Sequence, residues 1–167
     1  MKKWDLSVEI LLASILTVGQ YFLAFFVYKL PGVFWLQIVG GIIWVLSVLF
    51  ALWPIFLLRN KGKPPKGKSY VHTTKLVDSG LYAICRHPQY VAGILFNLSL
   101  MLLAQHELIF AMGIFSMTLM YKDIQKADDE SLEKFGSQYK RYMAQVPRAN
   151  FLLGLFRFWN KRKEQER

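Results

Sequence analysis

Phe34 to Leu58 reads FWLQIVGGIIWVLSVLFALWPIFLL, twenty-five residues without a charged side chain. A run this long and this apolar is a membrane-crossing helix before it is anything else. Gly40, Gly41 and Ser47 are small enough to admit a neighbouring helix. Pro54, close to the end, is tolerable where neighbours satisfy the carbonyl it frees. Upstream, Val8 to Tyr28 is apolar apart from Glu9, Ser14, Thr17 and Gln20. At the helical rise it spans roughly 31 Å, one bilayer core. It is too long for the apolar core of a secretory signal and has no small-residue cleavage pattern, so it is expected to remain as a membrane helix. Leu30-Pro31-Gly32 supplies the turn between the two.

The whole composition agrees with a membrane protein. Just over half of the 167 residues are hydrophobic, with 13 Phe and 5 Trp, yet the formal net charge is +10. Those charges are segregated, long uncharged blocks alternating with short basic ones, as in polytopic membrane proteins. Residues 59–68, RNKGKPPKGK, form a basic loop. No aromatic side chain interleaves with its lysines to stack on bases, so phospholipid headgroups suit it and nucleic acid does not. Beyond it, Tyr90–Ala104 and Leu108–Met120 form an apolar hairpin around Gln105-His106-Glu107, each arm only about 20–23 Å long. Lys2, Lys3, the 59–68 loop, Lys75, Arg86 and every Lys and Arg from Lys122 onward fall on one side, and Lys29 alone on the other. The positive-inside rule then places both termini in the cytoplasm.

From Tyr121 the pattern changes. Leu132, Phe135, Tyr139 and Tyr142 recur on one face of an amphipathic helix, acids early and Lys140 and Arg141 late, as the helix dipole favours. Gly136 within that helix implies a packing or ligand reason. Val146-Pro147-Arg148 ends it, and Phe151–Trp159, flanked by Lys161-Arg162-Lys163, reads as an in-plane interfacial segment. The expected fold is all-α: a polytopic membrane helical bundle of about four segments with a cytosolic amphipathic helix and an interfacial C-terminal segment. One membrane domain covers 1–167, divided into two N-terminal helices (1–58), the basic loop with its following motif (59–89), the hairpin (90–121) and the cytosolic helix with its tail (122–167).

Two polar clusters carry the chemistry. One is Tyr82-x3-Arg86-His87-Pro88-x-Tyr90, at the lip of a membrane helix, where ionisable groups mark a pathway or a site. The other is Asp128-Asp129-Glu130 followed by Phe135-Gly136-x2-Tyr139-x2-Tyr142-x3-Val146-Pro147-Arg148. The first offers anion donors, an imidazole and tyrosines that hydrogen-bond while packing on a ring. The second offers acids for a ribose or amine, and an arginine for a carboxylate or phosphate. Together they suit a polar, zwitterionic small molecule. Cys85 is either a thiol activated by Arg86 and His87 or a small filler at the helix mouth. GxGxxG, P-loop, HExxH and paired CxxC patterns are absent, and His72, His87 and His106 lack metal-ligand spacing, so no metal is expected.

SGLYAICRHPQYVAG, then an apolar hairpin, then EKFGSQYKRYMAQVPR resembles the isoprenylcysteine carboxyl methyltransferase and phospholipid methyltransferase superfamily, over about Lys75 to Arg148. The resemblance implies S-adenosylmethionine held on the cytosolic side, with a lipid or lipidated substrate reaching it from the bilayer. It implies that Tyr82, Arg86, His87 and Tyr90 help hold the cofactor, with Tyr139 and Tyr142 lining the site. Asp128, Asp129 and Glu130 stand where the family carries a glutamate pair, which leaves open which acid contacts the cofactor. Arg148 is implied to orient the acceptor group, and Glu130 is the candidate base where that acceptor is an amine. A membrane module that keeps the fold and binds lipid or a partner without catalysis is the alternative.

Overall fold

The structure is a computed structural model and describes residues 7–27 and 32–165. Lys2, Lys3, Tyr28, Lys29 and the Leu30-Pro31 part of the expected turn lie outside them. Among the described residues there are six α-helices and no strand: α1 (Val8–Phe22, continued by a π-helical turn Leu23–Val27), α2 (Phe34–Lys61), α3 (Pro88–Ala104), α4 (Glu107–Phe135), α5 (Ser137–Gln145) and α6 (Phe151–Gln165). Val8–Val27 and Phe34–Lys61 are long and apolar enough to cross a membrane. Only 11% of either apolar window is buried, whereas a core helix of a soluble protein is mostly covered. Such surface calls for an apolar solvent.

The chain divides into two compact units, Met1–Val48 with Ala92–Lys126, and Leu49–Val91 with Ala127–Arg167. In the first, Thr17 and Gln20, polar exceptions in the opening apolar block, find partners on α3 and α4. Gln20 is fully buried and donates from Nε2 to the carbonyls of Asn97 (3.3 Å) and Ile109 (3.1 Å). Asn97 Nδ2 donates to Thr17 Oγ1 (3.1 Å) and the Gly93 carbonyl (2.9 Å), and Thr17 Oγ1 lies 2.9 Å from Ser116 Oγ. Buried polar groups on apolar helices persist where partnered in this way. Ser7 caps α1, accepting from the Ile10 N–H at 3.2 Å while its hydroxyl donates to Asp123, and Glu9 pairs with Lys126 at 2.6 Å. Gln105 stands in the α3–α4 turn at φ +49° and clasps Val33, accepting from its N–H (2.9 Å) and donating to its carbonyl (3.0 Å). Of the two glycines expected to admit a neighbour, Gly40 does so against Leu102 and Leu103, while Gly41 faces open space.

In the second unit the basic loop is tied down rather than loose. The Gly62 carbonyl accepts from the Thr74 and Lys75 N–H groups (2.8 and 3.2 Å), and the Arg59 guanidinium lies 6.0 Å from the Tyr70 ring centroid. Two expectations need correction. Tyr121 is no boundary, because α4 runs unbroken from the apolar arm into the acidic segment. The amphipathic helix is not one helix either. Gly136 breaks it at φ +55°, ψ −128°, a conformation open to glycine and strained for L side chains, so α5 leaves in a new direction. A Cβ at Gly136 would meet nothing within 4 Å, so in the fold its role is conformational and not packing. Gly136→Ala is expected to cost about 1–3 kcal/mol of stability, read by thermal unfolding.

Candidate active site around Asp128

The site lies within the second unit and is organised by one carboxylate. Pro88 opens α3, where its missing N–H leaves no bond unmade. Arg86 and His87 sit in the short non-helical approach to that helix, and their backbone N–H groups donate to the carbonyls of Pro147 (3.1 Å) and Arg148 (3.2 Å). Those two bonds stitch the two sequence motifs together. They set four side chains around Asp128 of α4, which is 1% exposed. Arg86 Nη2 donates to Asp128 Oδ2 at 3.0 Å, and Arg148 Nε to the same oxygen at 2.6 Å. Tyr139 Oη donates to Oδ1 at 2.6 Å, and His87 Nε2 lies 2.7 Å from that oxygen and 3.4 Å from the tyrosine hydroxyl.

Burial by itself would raise the Asp128 carboxyl. The hydrogen bonds from His87 and Tyr139, the charge of His87 and the bond from Arg148 outweigh it and hold the group well below the usual carboxylate range. Burial first, and then the bond to Asp128, push the Tyr139 phenol up, so it stays a donor. Tyr90 meets the His87 ring edge-on at 5.8 Å, and the Arg86 guanidinium lies 5.9 Å from the Tyr139 ring centroid.

Of the residues singled out by sequence, the structure gathers Arg86, His87, Tyr90, Asp128, Tyr139 and Arg148. Tyr142 supports them from behind: its ring packs 5.7 Å from Tyr139, and its hydroxyl donates to the Tyr82 carbonyl at 2.5 Å. Tyr82 thus joins the cluster through its backbone carbonyl. Asp129 and Glu130, expected beside Asp128, are exposed instead. Cys85 is the small filler and not an activated thiol: it is fully buried, and burial pushes it up to about 12. A raised thiol stabilises the fold fully below the unfolded thiol value and loses that contribution as pH rises toward 12. Iodoacetamide at pH 8 is expected to leave Cys85 unlabelled in the folded protein and to label it in denaturant.

Gly154 is the residue that sequence reasoning missed. A Cβ there would lie 1.7 Å from the Ile84 carbonyl oxygen, so α6 rests directly on the backbone leading into Cys85-Arg86-His87. A lone glycine in an apolar run gave no signal of this.

The cluster leaves donors to spare. Asp128 is shared by two guanidiniums, and Nε and Nη1 of Arg86 are buried without a hydrogen-bond partner. A buried cation in that condition is costly unless an anion joins it. No curated protein and no solved structure matches the chain. A family model described as Phospholipid methyltransferase matches residues 35–147, which take in the basic loop, the Arg86-His87-Pro88 motif, Asp128, both tyrosines of α5 and Pro147. With more than half of its length matched, and with the first motif and all of the second but Arg148 inside the match, the chain belongs to the phospholipid methyltransferase family, part of the superfamily that includes the isoprenylcysteine carboxyl methyltransferases.

Proposed function

We propose that the protein transfers a methyl group from S-adenosylmethionine to a lipophilic acceptor at the membrane–cytosol interface, with both termini cytoplasmic and four membrane segments. Methyl transfer is the activity of its family. The observation that carries the cofactor assignment is the pair of orphaned buried donors on Arg86. They fit the carboxylate of an amino-acid-like ligand, and His87, Tyr90 and Tyr139 around them fit its polar remainder. Bound there, the cofactor supplies an electrophilic methyl on a sulfonium.

The chain's own residues then bind, orient and exclude water. Asp128 acts as a positioning residue: it holds Arg86, His87, Tyr139 and Arg148 at fixed angles. Because its carboxyl is so strongly depressed, it is a poor base at neutral pH. That favours an acceptor needing no deprotonation, a carboxylate such as that of a prenylcysteine, oriented by the third-exposed Arg148. A phospholipid amine is the second reading, favoured by the family description. It requires a base other than Asp128, and Glu130 is the candidate. The two part on pH: a base-requiring reaction falls steeply in mild acid, whereas carboxylate methylation falls only near the carboxylate's own value of roughly 3.5.

The cofactor site is tested by calorimetric titration of detergent-solubilised protein with S-adenosylhomocysteine, wild type beside His87→Ala. Micromolar binding lost in the variant is the expected result. No binding by folded wild type would leave a lipid- or partner-binding membrane module.

A further inference from the structure

Apart from the Asp128 cluster, α6 borders three hollows that share walls. The first, about 500 Å³, lies between α5 and α6, and among the described residues its lining carries Arg141, Arg157 and Lys161 against the carboxylate of Asp78. The second, about 340 Å³, shares Arg157, Lys161 and Gln145 with it. The third, about 380 Å³, shares Asn160 with the second and is lined chiefly by Leu155, Phe156 and Trp159. Lys161 Nζ donates to Gln145 Oε1 at 3.0 Å, which fixes the ammonium at the wall of the first hollow. Phe156 is 65% and Trp159 61% exposed, so the apolar end of this track needs covering.

A track that is cationic at one end and apolar at the other matches an amphiphile with an anionic head. We infer that α6 binds an anionic glycerophospholipid lengthwise, its phosphate among Arg141, Arg157 and Lys161 and an acyl chain along Leu155, Phe156 and Trp159. This lipid is distinct from the methyl acceptor, and the inference does not depend on methyl transfer. A free phosphate or a nucleotide would satisfy the cations and leave the apolar end bare. A zwitterionic headgroup would bring a fourth cation against a wall that already carries three. Since Gly154 seats α6 on the Ile84 carbonyl, a lipid held along α6 also steadies the backbone leading to Arg86.

The test is native mass spectrometry of the full chain released from mild detergent after titration with dioleoylphosphatidylglycerol or dioleoylphosphatidylcholine. Arg157→Gln/Lys161→Gln is compared with wild type, and thermal unfolding verifies that the variant is folded. Each basic side chain near an anionic headgroup contributes roughly fivefold in affinity, so the double variant is expected to lose about thirtyfold for phosphatidylglycerol. Phosphatidylcholine binding should stay weak and unchanged. The charge-preserving Arg157→Lys/Lys161→Arg pair should restore binding, and Phe156→Ser should weaken it from the apolar end. Equal phosphatidylglycerol binding by wild type and the Gln variant would overturn the inference. So would equal binding of the two lipids, or displacement by millimolar inorganic phosphate, which would mark a simple phosphate-ion site.

Discussion

Asp128→Asn is expected to lower stability by about 3–5 kcal/mol, because it removes a buried charge that pairs with two guanidiniums. Asparagine has nearly the same shape, so packing does not confound the result. Its amide nitrogen would face the donors of Arg86 and Arg148 or of His87 and Tyr139, whichever way the group turns. For a chain of this length the midpoint of thermal unfolding should fall by on the order of 10 °C, measured by tryptophan fluorescence in detergent. The pH dependence supplies an internal check. Asp128 is depressed in the folded state, so its contribution is complete above the ordinary unfolded value of about 3.9 and is lost as pH falls through the folded value. The carboxylate's own share of the gap between wild type and variant should therefore begin to close only below about pH 4. A variant melting within a degree or two of wild type would mean that the arginines do not depend on this carboxylate.

Gly154→Val should be comparably severe through a different mechanism. The obstacle is backbone, the Ile84 carbonyl, and not the yielding end of a side chain. Overpacking typically costs 1–3 kcal/mol, and a clash with main chain belongs at the upper end, about 3 kcal/mol. Either α6 lifts away or the Ile84–His87 segment moves, and the second outcome disturbs Arg86 directly. S-adenosylhomocysteine affinity is therefore expected to drop at least tenfold in Gly154→Val, although residue 154 belongs to no motif. Exposed Leu152→Val, a helix turn's edge away, serves as the neighbouring control and should leave both stability and affinity unchanged. Intact affinity in a stable Gly154→Val protein would show that α6 does not hold that segment.

Helix content, the two apolar spans and most of the site's membership were legible from the sequence. Apolar runs longer than twenty residues have few other solutions. Arg86 and His87 stood out because ionisable groups at the lip of an apolar helix need a reason, whereas Tyr139 stood out by its helical spacing and Arg148 through the resemblance of FGSQYKRYMAQVPR to the family. Choosing among Asp128, Asp129 and Glu130 was beyond it. Consecutive helical residues point about 100° apart, so only one of three neighbouring acids can enter a given cluster. Which one depends on how α4 is rotated, and packing decides that. Tyr82 shows the same limit, since its side chain drew attention while its carbonyl makes the contact. The clasp made by Gln105, the helix break at Gly136 and the seat at Gly154 were not legible either. The clasp on Val33, the left-handed break and the seat on Ile84 each depend on a surrounding that exists only once the chain has folded. Composition and periodicity determined which segments are helical and which residues are costly to bury. The tertiary structure decided which of those residues meet, because one carboxylate satisfies four donors only when two distant motifs are joined through their backbones.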